Sequence, residues 1–152
     1  MLTEHGETPT VVSIHIAPAT RLPTRPVPSV LADAGKGLVG DRYHGTKHRH
    51  VTVQSATSLE TAAAVLGRPV DPGLTRRNLT LSGGDVPTTP GVRLRVGEAL
   101  LEVVRVAAPC RLLDDTLGAG AQEALRRRAG TVFRVLESGT ISVGDPVVLE
   151  LG

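Results

Sequence analysis

The stretch Val92-Arg93-Leu94-Arg95-Val96-Gly97-Glu98-Ala99-Leu100-Leu101-Glu102-Val103-Val104-Arg105-Val106 carries the clearest structural signal in the chain. Val92, Leu94 and Val96 alternate with two arginines, the period-two pattern of a half-buried strand. Gly97-Glu98 can reverse the chain, and Ala99 to Val106 then returns as the second arm of a hairpin. Apolar residues occupy both faces of Leu100 to Val106, so this arm is expected to be a central strand buried on both sides.

Working outward, more short strands and few helices emerge. Val11-Val12-Ser13-Ile14-His15-Ile16 predicts a strand with Val12, Ile14 and Ile16 on one face, and Val51-Thr52-Val53, Asn78 to Leu81 and Thr131 to Leu136 predict others. Glu137 to Thr140 reads as a turn, followed by alternating pieces at Ile141/Val143 and Val147/Leu149/Leu151. Thr57-Ser58-Leu59-Glu60 has capping-box spacing. Leu59, Ala62, Ala63 and Leu66 then fall on one helical face, with Gly67 suited to the left-handed C-terminal position. Ala119 to Arg128 predicts a shorter helix in which Glu123 stands four residues before Arg127. About seven short strands and one or two short helices predict a mainly β fold, a small closed β-barrel, because closure removes exposed edges.

Between Ala17 and His50 no periodicity is sustained, and four prolines interrupt the chain, so a long loop is expected there. The length of 152 residues fits a single domain spanning 1–152. With two aromatic residues, Tyr43 and Phe133, the core must be aliphatic. One cysteine excludes an internal disulfide and fits a reducing compartment. No leader pattern or apolar run long enough to span a bilayer is present, so a cytoplasmic protein without membrane contact is expected. A net charge of +2 and the lack of stacking aromatics argue against nucleic acid as a partner.

Three segments carry candidate chemistry. Cys110 follows Pro109, which cannot donate to a sheet ladder, so the thiol sits at or beyond a strand end. Buried inert packing is the commonest fate of a lone cysteine. Here Arg111 and Arg105 favour the reactive thiolate, while Asp114 and Asp115 oppose it. Gly37 to His50 combines glycines with Arg42, His44, Lys47, His48, Arg49 and His50, a composition suited to phosphate. Its plainer reading is a solvated basic loop. Zinc is not expected, because Lys47 and Arg49 sit between the histidines and no second cysteine completes a ligand set. Thr75 to Gly83 brings Arg76, Arg77, Asn78 and Ser82. Guanidinium forks suit phosphate or carboxylate, and an amide can read a pterin edge. A surface ion pair is the bland alternative. Signatures of common hydrolases, nucleotide-binding loops and redox cysteine pairs are missing.

The ordered set Gly40-Asp41-Arg42 with His44-Gly45, Arg76-Arg77-Asn78-Leu79 with Ser82-Gly83, Val96-Gly97, Pro109-Cys110 and Val135 to Asp145 resembles the MOSC family, named after the C-terminal domain of molybdenum cofactor sulfurases. Thr46 stands where bacterial stand-alone members often have a second glycine. The resemblance implies a closed β-barrel of complex topology, of the MOSC and pyruvate-kinase β-barrel kind, in a small stand-alone member. It also implies a pterin-based molybdenum cofactor (molybdopterin) contacted by Arg76 and Asn78. Cys110 would serve as molybdenum ligand in reduction of N-hydroxylated compounds, or as a persulfide-bearing sulfur carrier. The implied partners are a small-molecule substrate with an electron-transfer protein, or a cysteine desulfurase. A binding barrel with an inert cysteine is the third reading.

Overall fold

The computed structural model describes residues 8–19, 23–108, 117–126 and 128–150. Among these, the elements in chain order are β1 (Val11–Ile16), β2 (Arg25–Pro26), β3 (Ser29–Asp33), β4 (Gly37–Leu38), β5 (Val51–Ser55), α1 (Ala56–Leu66), a 3-10 turn at Pro72–Leu74, β6 (Leu79–Leu81), β7 (Arg93–Val96), β8 (Ala99–Val106), α2 (Ala121–Ala124), β9 (Thr131–Glu137), β10 (Gly139–Ser142) and β11 (Val147–Glu150). The fold is mainly β, as the alternating pattern predicts.

The predicted hairpin is present as β7 and β8, with Arg93 opposite Glu102 and Val96 opposite Ala99. Gly97 turns the chain at φ +56°, and a Cβ there would meet the Asp145 side chain and the Thr140 carbonyl. On the solvent face Glu102 lies between Arg93 and Arg134, at 3.4 and 3.1 Å, so the arginines that alternate in sequence become cross-strand pairs. Burial of β8 runs from Ala99 through Leu101 and at Val103, but Arg105 and Val106 emerge into solvent.

The larger sheet has eight strands in the order β11-β7-β8-β9-β5-β6-β1-β2, and a three-stranded sheet has the order β10-β3-β4. The closed barrel expected from sequence is not formed by either sheet among the described residues. The flanks of the larger sheet approach each other at an isolated bridge between Thr10 and Pro146. Val11 N–H donates to the Asp145 carbonyl at 3.0 Å, and Gly144 N–H donates to that of Val11 at 2.7 Å.

Other expectations shift locally. Val12 is 45% exposed while Val11 is buried, because the β1–β6 register slips between Val11 and Ser13; such a bulge breaks the two-residue period. The predicted loop between Ala17 and His50 contains β3 and β4, whose Val30, Ala32 and Leu38 enter the core. The predicted turn at Glu137 to Thr140 is shorter, since β10 already begins at Gly139 and pairs with β3. The first helix is capped by Ser55, not Thr57: Ser55 Oγ accepts from Ser58 N–H, and Gly67 takes the left-handed end. The second helix narrows to four residues, with Glu123 pairing to Arg126 at 2.9 Å. Arg127, its predicted partner, has no described side chain. Leu151 also lies outside the described residues.

Phe133, Ile14, Leu79, Leu81, Leu94, Leu101 and Ile141 form the centre of the main core. Leu59, Ala62, Ala121, Ala124 and Leu125 pack α1 against α2 in a second cluster. No described helix is long and apolar enough to cross a membrane. Gly130, at φ +94°, precedes β9, and a methyl at this position would collide with the Val53 carbonyl. Gly130→Ala is therefore expected to cost at least about 2 kcal/mol, read as a lower urea midpoint with the slope unchanged.

Candidate functional site

Asn78, immediately before β6, is the point where distant segments meet. Its Nδ2 donates to the His15 carbonyl at 3.0 Å and to Asp41 Oδ1 at 3.3 Å. Its Oδ1 accepts from the backbone N–H and the hydroxyl of Thr52, at 3.0 and 3.1 Å. Two donors and two acceptor positions are thereby occupied, which is the full capacity of the amide. Asn78 thus holds β1, β5 and the Gly40-Asp41-Arg42 loop together.

Asp41 completes that junction. Its buried carboxylate accepts from Ala17 N–H at 2.9 Å and Tyr43 N–H at 3.3 Å. Beyond it, the Arg42 and Arg49 guanidiniums stand 4.7 and 4.4 Å from the centroid of the Tyr43 ring, within cation–π range. Lys47 and His48 are exposed on the same loop. His44 instead reaches Asp33 at 3.2 Å.

His50 anchors the loop from beneath. Its Nδ1 accepts from Val135 N–H at 2.9 Å, and its Nε2 lies 2.6 Å from the Thr46 carbonyl. Those two partners select the neutral tautomer with the proton on Nε2. Burial pushes its pKa below the ordinary 6.5, opposed by the hydrogen bond to Thr46 and assisted by Arg134, His48 and His44. Burial also lowers His15, with Asp71 opposing.

Arg77 points inward. It is 3% exposed, donating from Nε to the Ala129 carbonyl at 2.8 Å and from Nη2 to the Ala108 carbonyl at 2.6 Å. Ala108 is the last described residue before Pro109 and Cys110, which themselves lie outside the described residues. Arg76 is the one described non-glycine residue with positive φ, +65°. This left-handed step costs about 1–2 kcal/mol. Ser82 is not brought into this group. It follows the far end of β6, where its Oγ accepts from Thr10 N–H at 3.1 Å.

A polar cleft of about 290 Å³ opens where β5 ends and α1 begins, lined by Ser55, Ser58, Asp85, Val106, Arg128 and Thr131 among others. Strand pairing sets Thr131 opposite both Val53 and Val106, bringing the cleft to the end of β8 that leads toward Cys110. The first turn of α1 contains no acidic residue, so the positive end of its dipole is not offset from within that turn. Arg128 adds a cation, held by a 2.8 Å bond from Nη1 to the Ala124 carbonyl. Among the described residues, Thr131 Oγ1, in a fully buried residue on the cleft wall, has no hydrogen-bond partner. Sequence reasoning missed Ser55, Ser58, Arg128 and Thr131. The available signal was a serine ending an apolar strand directly before a helical pattern. Among the described residues, no group of three or more His, Cys, Asp or Glu is placed to hold a metal.

The MOSC domain family description matches residues 40–148. The YuaD protein of Bacillus subtilis has a similar structure, with a TM-score of 0.82 and 18% identity over 93% of this chain and 94% of that one. YiiM of Geobacillus stearothermophilus gives 0.73 and 23% over 94% and 75% of the two chains. YiiM of Escherichia coli gives 0.74 and 19% over 96% and 71%. These likenesses establish the fold. No curated protein matches the sequence significantly.

Two outcomes follow from this geometry. Asn78→Ala would strip buried Thr52 and Asp41 of partners, with an expected loss of about 3 kcal/mol, measurable by urea unfolding. For the histidines, the unfolded chain takes up protons as pH falls through 6.5, whereas the folded chain resists until its lowered values are reached. Their contribution to stability is therefore complete above pH 6.5 and declines below it. Unfolding free energies from pH 8 to pH 5 should show this decline, and His50→Gln should make it shallower.

Proposed function

The chain belongs to the MOSC domain family, and on that premise we propose that it binds a molybdenum-bearing pterin cofactor in the polar cleft beside the Cys110 segment. The observation that carries this reading is the bond from buried Arg77 to the Ala108 carbonyl. It ties the Arg76-Arg77-Asn78 segment to the main chain two residues before the cysteine, at the end of β8 that borders the cleft.

The residues present fit such a group. Phosphate would be held by the first-turn N–H groups of α1, the Ser55 and Ser58 hydroxyls and Arg128, because a helix N-terminus with an adjacent guanidinium is an anion site. The unpartnered Thr131 hydroxyl supplies one further donor. Asp85 is acceptor-only and suits the N–H edge of a pterin. The sequence neighbours Arg111 and Arg105 favour the thiolate of Cys110 over the thiol, the form required of a metal ligand. Arg77 and Asn78 act as positioning residues: Arg77 donates to the Ala129 and Ala108 carbonyls, and Asn78 to the His15 carbonyl and Asp41. Arg42, Lys47 and Arg49 add a field that attracts an anionic cofactor. When bound, the group would supply two-electron chemistry able to remove oxygen from an N-hydroxylated compound, with electrons from a partner protein. A closed barrel belongs to this family reading.

The test is metal and pterin analysis of protein purified from cells that make the cofactor. Wild type is expected to carry molybdenum, Cys110→Ser to lose it, and Ser55→Ala with Arg128→Ala to lower its pterin content. Wild type devoid of both would sink the proposal. Transfer of a sulfane sulfur from a desulfurase persulfide onto the Cys110 thiolate is the competing use of the same thiolate, releasing the desulfurase thiol. It would appear as a mass gain of one sulfur atom that is absent in Cys110→Ser.

A further inference from the structure

A second cleft, also of about 290 Å³, lies against the neighbouring face of α1 and differs in chemistry. Leu59 and Ala63 of α1, Val12 of β1, and Pro69, Val70 and Pro72 of the following connection make its walls apolar. The bulge in β1 is what turns Val12 outward to join them. Glu60 is the one charged residue lining it, and Thr80 is the polar residue of its floor.

Thr80 lies in the middle of three adjacent strands. Thr80 on β6 pairs with Ser13 on β1 and with Gln54 on β5. Gln54 Nε2 donates to Thr80 Oγ1 at 2.9 Å, which leaves the Thr80 hydroxyl proton to be donated elsewhere. Gln54 is fully buried and, like Ser13, does not line the cleft. Of these groups Thr80 alone lines the cleft, so its uncommitted hydroxyl proton, set among apolar walls with one carboxylate at the edge, is the polar feature an occupant would meet.

We propose that this cleft binds a small organic cation. Its apolar ring or short chain lies against Leu59, Ala63 and Val70, its protonated nitrogen faces Glu60, and its ring face or an acceptor atom meets the Thr80 hydroxyl proton. The site is separate from the polar cleft, because Ser55 and Ser58 border one and Ala56, Leu59 and Glu60 the other. It stands whether or not a pterin binds.

Benzylamine, benzyl alcohol and benzoate test it in amide chemical-shift titrations of the isotope-labelled full chain at pH 7. Benzylamine is expected to give saturable shifts at Ala56, Leu59, Glu60, Ala63 and Thr80, benzyl alcohol weaker ones, and benzoate none. Glu60→Gln should weaken benzylamine about threefold to fivefold, the range of an exposed charge pair, and leave benzyl alcohol unchanged. Ala63→Leu, which fills the cleft from a helix position that tolerates leucine, should abolish both. Equal binding of benzoate, shifts scattered outside the cleft, or undiminished binding to Ala63→Leu would overturn the proposal. Molybdenum content is indifferent to all of these outcomes.

Discussion

Four hydrogen bonds converge on the side-chain amide of Asn78, from Thr52 twice and to His15 and Asp41. β5 and β6 run parallel and so cannot be joined by a tight turn. The chain between them must leave through α1 and come back in register, and Asn78 is the residue that makes this return. An amide is required there. An aspartate would set a second carboxylate against Asp41, and a leucine would leave the Thr52 and Asp41 groups unmet in a buried setting. Through Asp41 the same amide fixes where the basic loop begins, and through the backbone it fixes where Arg77 starts its reach toward Ala108.

The elements legible in the sequence are those whose pattern and partner are close together. β7 and β8 share a two-residue turn and matched alternation, and α1 carries its own periodicity and terminal glycine. β3 was hidden because its ladder is made with β10, more than a hundred residues later, and because prolines and glycines around it read locally as loop. The outward turn of Val12 depends on a register slip against Leu81, a property of two strands that neither states alone. Ser55 escaped notice as a cap because the strand runs into the helix with no intervening loop, and the capping-box spacing favoured Thr57.

The candidate site divides along the same line. Residue types suited to anions were visible, yet the side chains richest in hydrogen-bonding groups, Asn78, Asp41 and Arg77, face inward and hold the framework. Ser82 shares a motif with Asn78 but lies beyond the opposite end of a three-residue strand, about 13 Å away at the usual rise. The groups that line the polar cleft are ordinary serines, a threonine and an arginine, whose meaning comes only from the helix end and strand ends that gather them.

The basic loop shows how a positive surface can be rigid without being neutralised. A carboxylate pairing with Arg42 and Arg49 would order them and cancel their charge. The only carboxylate within the loop, Asp41, is turned inward to Ala17, Tyr43 and Asn78. The Tyr43 ring orders both guanidiniums instead, through its quadrupole, which attracts cations while carrying no net charge. Neutral His50 secures the loop's base without adding repulsion to that cluster, because its two ring nitrogens are spent on Val135 and Thr46. The loop therefore presents Arg42, Lys47 and Arg49 toward solvent with no carboxylate paired to them among the described residues, and that positive field is what an anion approaching this face encounters first.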